Sequence, residues 1–250
     1  MLRKGDLTQG GITTTLLQFT LPMLAGSLLQ QCYNIADTLI VGQCIGANAL
    51  AAVGSTYTLM VFLISILLGL SMGSGTVFSL QYGAGDLSAL RRSIYVSLLL
   101  IGTVTILLNV AVFLWLDPIL RWLQVPYDIY SLMRNYLWII FWGIVFTFLY
   151  NFYAALLRAV GDSVTPLWFL AVSVVLNIGL DLFLILVLDQ GIEGAAVATV
   201  IAQGTAASGI LLYTYKTRPE LRLHREDMCF DRSSLREITS FSTLTCVNNL

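Results

Sequence analysis

Residues 30–46 read QQCYNIADTLIVGQCIG, and Asp37 in this stretch is the only charged residue between Asp6 and Asp86. So long a run of uncharged, mostly apolar residues is typical of helices that cross a lipid bilayer. A carboxylate at the centre of a bilayer costs about 2.5–3.5 kcal/mol on insertion scales, so some interaction must offset the cost of Asp37. Ionisable side chains in such positions usually mark a path for an ion or a substrate.

The composition of the whole chain is that of a membrane protein. Of the 250 residues, 57% are hydrophobic and only 11% are charged, whereas soluble domains carry about 25% charged residues. The net charge of −1, without a basic arm, gives no electrostatic basis for nucleic-acid binding. One histidine and four scattered cysteines exclude most zinc sites and Ser-His-Asp catalysis. Neither a nucleophile–base pair nor a phosphate loop occurs, so we expect no enzyme and no cofactor.

Apolar windows define the domain organisation. Six of them are long enough to cross about 30 Å of hydrocarbon as helices. They are 16–41, 57–80, 94–116, 135–157, 166–188 and 194–215. They predict an all-α membrane protein with a six-helix transmembrane lobe over residues 1–215. The charged segment 216–237 predicts a cytoplasmic linker. The apolar residues 238–250 predict the start of a seventh helix, so the chain reads as part of a two-repeat protein.

Basic residues are distributed unevenly between the two sides of the membrane. With a cytoplasmic N-terminus, only Arg121 and Arg134 of the 13 lysines and arginines fall in outer segments, which leaves eleven in inner ones. The excess of lysine and arginine in cytoplasmic segments of membrane proteins therefore predicts this orientation. We expect a multi-pass protein of the cell membrane.

Polar residues recur four positions apart in three spans, which places each pair on one helix face. The pairs are Tyr33 and Asp37, Asn177 and Asp181, and Thr199 and Gln203. At a rise of about 1.5 Å per residue, Asp37, Asp181 and Thr199 lie at similar depths in the outer half of the bilayer. This depth predicts a shared pocket, although bonding between neighbouring helices equally explains a lone amide or hydroxyl.

Three stretches carry a family resemblance: residues 21–86 with ADT at 36–38, ALLRAVGDSVTPLWF at 155–169, and NIGLDLFLIL at 177–186. Together they resemble the MATE (multidrug and toxic compound extrusion) transporters. The resemblance implies two six-helix lobes around a central cavity. The chain would supply the N-terminal lobe, the inter-lobe linker and the start of helix 7, so a C-terminal lobe is the missing partner that we expect.

The resemblance also implies a cation-coupling site in this lobe. The matching positions are Asp37 in helix 1, Asn177 and Asp181 in the N-x-x-x-D of helix 5, Thr199 in helix 6 and Asn151 in helix 4. On this basis Asp37 stays in lipid because it binds the coupling ion, which is H⁺ or Na⁺. No other metal is expected, and the substrate-binding residues are not identified.

The function that the resemblance implies is secondary active multidrug efflux. Small organic compounds, often cations, would leave the cell in exchange for H⁺ or Na⁺, and the lipid bilayer is the other expected partner. One alternative is a lipid or oligosaccharide-lipid flippase of the same superfamily. A basic central cavity would favour a flippase, but the middles of the spans carry no lysine or arginine. A non-transporting membrane scaffold fragment is the other alternative.

Overall fold

A computed structural model of the protein describes residues 12–224, 227 and 232–249. Regular structure in these residues is helical throughout, which confirms the all-α prediction. The predicted cytoplasmic N-terminus with Arg3 and Lys4, most of the linker between 225 and 231, and Leu250 lie outside the described residues.

Seven α-helices follow one another along the described part of the chain. They are α1 (Ile12–Cys44), α2 (Ala47–Gly83), α3 (Leu87–Trp122), α4 (Tyr127–Ala159), α5 (Val164–Leu182), α6 (Gly191–Thr217) and α7 (Arg232–Asn249). One π-helical turn, Phe183–Val187, extends α5. A 3₁₀ turn, Pro219–Leu221, follows α6.

Within the described residues, α2 to α6 are the helices long and apolar enough to cross a membrane. They cover five of the six predicted windows. The first window lies in α1, a helix of 33 residues. The second half of α1 carries the polar residues Gln30, Gln31, Asn34 and Asp37. The chain is a multi-pass membrane protein.

The register between α4 and α6 is set by close contacts along both helices. Asn135 near the start of α4 donates to Glu193 near the start of α6, with Nδ2 and Oε1 2.8 Å apart. Further along, a Cβ on Gly143 of α4 would lie 2.9 Å from Cγ2 of Val200, so the backbones approach closely there. Both helices therefore run in the same direction, with Val200 opposite Gly143.

α5 runs antiparallel to α6 and parallel to α1. A Cβ on Gly209 of α6 would lie 2.6 Å from Cε1 of Phe169 in α5. At the other end, a Cβ on Gly194 would lie 3.2 Å from Cβ of Leu184. Leu167 of α5 contacts the position of Gly26 in α1. This arrangement brings one face of α1, α5 and α6 together.

α7 packs antiparallel against α2. Ser242 lies so close to Gly73 that a Cβ on Gly73 would overlap its backbone, and the Ser242 hydroxyl donates to the carbonyl oxygen of Leu70 at 3.3 Å. The buried Ile238 packs with Val77 of the same α2 face. α7 begins at Arg232, so the last residues of the segment predicted as linker are helical. The division into lobe, linker and second lobe stays a prediction.

The segment after α6 is held against the lobe by buried charges. The guanidinium of Arg218 lies 3.4 Å from Oδ2 of Asp162 in the α4–α5 connection and 3.5 Å from Oε1 of Glu220. Arg91 of α3 donates from Nε to the carbonyl oxygen of Glu220 at 3.2 Å. These contacts fix the start of the linker on the end of the lobe where α4 and α6 finish.

Candidate cation-coupling site

Two aspartates meet inside the helix bundle. Asp37 of α1 is 9% exposed and Asp181 of α5 is fully buried. Their side chains lie within hydrogen-bonding reach of each other. They meet because α1 and α5 run parallel and each presents its aspartate at the same level. We call Asp37 and Asp181 the acid pair.

Neutral oxygen and nitrogen groups surround the acid pair. The Tyr33 hydroxyl lies 3.3 Å from Oγ1 of Thr199, and either oxygen can donate. The Asn177 amide lies between Asp181 and Thr199, and its orientation follows from the bonds that it can make. In the orientation that satisfies both ends, Nδ2 donates to Oδ2 of Asp181 at 3.0 Å and Oδ1 accepts from the Thr199 backbone N–H at 3.3 Å.

Tyr136 of α4 completes this group. Its side chain is buried and lies within electrostatic range of Tyr33 and of both members of the acid pair. α1, α4, α5 and α6 thus each supply at least one side chain. We call the acid pair together with Tyr33, Tyr136, Asn177 and Thr199 the acid pocket.

The acid pocket has the chemistry of a site for a small cation. Oδ1 of Asp37 and Oδ1 of Asp181 are buried without a hydrogen-bond partner among the described residues. Two carboxylates in such proximity repel each other, so a proton or a metal cation between them is needed to balance their charge. Among the described residues no three His, Cys, Asp or Glu side chains cluster as a metal site. Carboxylate, amide and hydroxyl ligands suit a proton or a hard cation.

The structure brings together four of the five residues predicted from the sequence, and it places Asn151 apart from them. Since Val200 lies opposite Gly143, Thr199 lies level with position 142 of α4. Asn151 is nine positions further along the helix, about 13 Å at the usual rise. Its Nδ2 instead donates to the carbonyl oxygen of Thr147 at 2.8 Å.

Two tyrosines belong to the acid pocket without having been assigned a role from the sequence. Tyr33 precedes Asp37 by one helical turn, and its place on the same face was the available signal. Tyr136 lies in the aromatic-rich first half of α4, where Trp138, Phe141 and Trp142 follow it in the sequence. Only the register of α4 against α6 distinguishes Tyr136 from these neighbours.

The match of residues 22–183 to the sequence profile of MatE decides the family. The chain belongs to the MatE family. Members of this family are transporters and not enzymes. The family assignment confirms the resemblance that the three sequence stretches carry.

Relatives in this family include bacterial drug-resistance proteins. The chain is 37% identical over 211 residues to the probable multidrug resistance protein YpnP of Bacillus subtilis, which covers 84% of this chain and 47% of YpnP. It is 32% identical over 209 residues to the multidrug export protein MepA of Staphylococcus aureus, with coverage of 80% and 45%. The chain therefore spans about half the length of the curated relatives that it matches.

A solved MOP superfamily transporter from Pyrococcus furiosus has the same fold. The TM-score is 0.90 over 98% of this chain and 54% of that chain, at 23% sequence identity. At this identity the likeness establishes the fold alone. The architecture of this MatE chain is thus that of about half of such a transporter.

Proposed function

We propose that this chain is the cation-coupling lobe of a secondary active exporter that moves small organic compounds, often cations, against entry of H⁺ or Na⁺. The observation that supports this proposal is the buried acid pair, Asp37 and Asp181, in which one oxygen on each carboxyl group has no partner among the described residues. The relatives YpnP and MepA are named as multidrug resistance and export proteins, which supports the class of cargo.

Charge balance in the acid pair explains how cation binding would be linked to movement. Without a cation the two carboxylates repel each other, and burial adds a desolvation cost. A bound cation removes the repulsion and favours the packing in which α1 and α5 hold the pair together. Because a ligand shifts a conformational equilibrium by its difference in affinity for the two states, this preference is the coupling free energy.

The neutral groups of the acid pocket are suited to both candidate ions. A proton needs only the two carboxylates, which would share it. Na⁺ would take further ligands from the amide oxygen of Asn177 and the hydroxyls of Thr199 and Tyr33, which are hard oxygen donors. An experiment is therefore needed to distinguish H⁺ from Na⁺ as the coupling ion.

We place the protein in the cell membrane with the N-terminus and the linker on the cytoplasmic side. The eleven basic residues of the inner segments support this orientation. Export also needs a second lobe, since transporters of this architecture alternate access by moving one half against the other around a central site. We place the beginning of that second lobe at α7, which contacts Gly73 of α2.

The test is to replace Asp37 and Asp181 by asparagine in the protein as its gene encodes it. Export of the fluorescent cation ethidium from proteoliposomes is followed while H⁺ and Na⁺ gradients are imposed separately. Asparagine keeps the shape but cannot change charge, so we expect each variant to insert and fold while cation-coupled export is lost.

Asp86→Asn is the matched control. Asp86 is exposed at the start of α3, where its Oδ1 accepts from the backbone N–H of Ala89 and from the Ser88 hydroxyl. These bonds hold its pKa below the usual value, so it too is an ionised aspartate. Asparagine also caps helices well, so the control keeps the local structure. Coupled export by both acid-pair variants at the rate of Asp86→Asn would disprove the proposed function.

A further inference from the structure

A second polar group lies between α4 and α6, beyond the acid pocket. Thr147 of α4 donates from Oγ1 to Oε1 of Gln203 in α6 at 2.7 Å. Asn151 donates from Nδ2 to the backbone carbonyl of Thr147 at 2.8 Å. All three side chains are partly buried. Among the described residues nothing bonds Nε2 of Gln203 or Oδ1 of Asn151, so each keeps a polar atom available.

This group continues the line of the acid pocket along both helices. Gln203 follows Thr199 of the acid pocket by four positions, which places it one turn further on the same face of α6. On α4, Thr147 follows Tyr136 by eleven positions, close to three full turns, so both side chains lie on one face. Asn151 lies one further turn along that face.

A glycine allows the two helices to form this contact. A Cβ on Gly143 would lie 3.3 Å from Oε1 of Gln203, tighter than most such contacts, so glycine lets this oxygen approach α4. Oγ1 of Thr147 also lies 3.3 Å from the Gly143 carbonyl oxygen. A Cβ on Gly143 would also lie 2.9 Å from Cγ2 of Val200, so glycine lets α4 and α6 approach closely at this level.

The line leads away from the acid pair toward the end of the lobe that carries the linker. Asn151 lies about 13 Å from the level of Thr199 and about 12 Å from Ala159, where α4 ends, at the usual rise per residue. In the orientation that we propose, this end is cytoplasmic. A cation that enters the acid pocket from outside must leave in this direction to drive export.

We infer that Gln203, Thr147 and Asn151 form a polar track along which the coupling cation leaves the acid pair for the cytoplasm. The inference rests on the proposed function. The track has no charged group, and its polar side chains recur at about one turn. Neutral ligands of this kind bind a cation strongly enough to replace lost water and weakly enough to release it, which is what conduction requires.

The first test separates release from binding in the full-length protein. Ethidium export from proteoliposomes is measured against the concentration of the driving cation, H⁺ or Na⁺. Thr147→Val keeps the shape and removes the hydroxyl, so we expect the maximal rate to fall by about tenfold while the half-saturating cation concentration changes by less than about twofold. Gln203→Leu should behave alike, and Thr147→Ser should retain the rate.

Thr205→Val is the matched control on α6. Thr205 is exposed, and its hydroxyl donates to the carbonyl oxygen of Ile201 in its own helix at 2.9 Å. It should export at the normal rate. If Thr147→Val also exports at the normal rate, the track is overturned. The track is equally overturned if a higher half-saturating cation concentration explains the whole loss of export rate in Thr147→Val. Normal coupling in both Asp37→Asn and Asp181→Asn would instead overturn the proposed function.

The second test does not depend on how the valine and leucine variants fold. Thr147→Cys and Asn151→Cys are made on a background without native cysteines and treated with a small cationic thiol reagent that does not cross membranes. Reaction from the cytoplasmic side, slowed by the driving cation, supports a water-accessible track. Reaction from the outer side only, or no reaction from either side, would show a sealed helix contact and overturn the inference.

Discussion

Asp37 and Asp181 meet in a buried contact although they lie on α1 and α5, the first and fifth helices of the bundle. One oxygen of each side chain has no hydrogen-bond partner among the described residues. A contact of this kind is unfavourable for two ionised groups and favourable once a cation lies between them. The acid pair is thus built from two distant parts of the sequence, and we propose that it binds the coupling cation as one unit.

The first prediction is that the two aspartates act as a unit. Either Asp37→Asn or Asp181→Asn removes the shared charge, so the double variant should lose no more coupled export than the more impaired single variant. Residues that act together show such non-additivity, whereas independent sites multiply their effects. Initial rates of ethidium export under an imposed cation gradient give the comparison. A double variant whose loss equals the product of the two single losses would mean two separate sites.

The second prediction concerns the neutral members of the acid pocket. Thr199→Ala removes the hydroxyl next to Tyr33, and Asn177→Ala removes the amide beside Asp181. Each should weaken cation affinity by only about 0.5–1.5 kcal/mol, the net value of one hydrogen bond. The half-saturating cation concentration measures this change, with Thr205→Ala as the exposed control. Complete loss in either variant, in protein that is still folded, would show that a neutral ligand is as necessary as the acids.

Helix geometry explains how much of the acid pocket the sequence could predict. Asp37, Asp181 and Thr199 share a depth, and Asn177 precedes Asp181 by one helical turn; both properties follow from counting residues along an apolar window. Counting residues does not predict which helices pack against each other, because that depends on contacts between distant segments. The parallel pairing of α1 with α5 could therefore not be predicted in this way.

Tyr136 shows what counting residues could not give. Its position relative to Thr199 depends on the register of α4 against α6, which the close approach of Gly143 to Val200 sets. A shift of one turn would put Leu132 or Ile140 in the place of Tyr136. The sequence carries no signal for this register, because most residues around Tyr136 are aromatic or apolar.

The third prediction is the orientation of the lobe in the membrane. Ser88 at the start of α3 and Asp189 between α5 and α6 are both exposed, at opposite ends of the bundle. On a background without native cysteines, Ser88→Cys and Ser234→Cys should be protected in intact cells from a thiol reagent that does not cross membranes, because the basic residues place these segments inside. Asp189→Cys should be labelled. Labelling of Ser88→Cys but not of Asp189→Cys in intact cells would reverse the proposed orientation.

The fourth prediction is that Gly73 holds α7 against α2. Any side chain at this position would overlap the backbone of Ser242, and backbone cannot move aside as the end of a flexible side chain can. Gly73→Val should therefore separate the two helices, break the bond from Ser242 to the Leu70 carbonyl and lower the melting temperature of the purified protein. Gly54→Ala on the same helix is the control, because a Cβ there has nothing within 4 Å and alanine favours the helix. If Gly73→Val melts at the temperature of Gly54→Ala and exports ethidium at the same rate, the close approach of α2 and α7 has no role in stability or in transport.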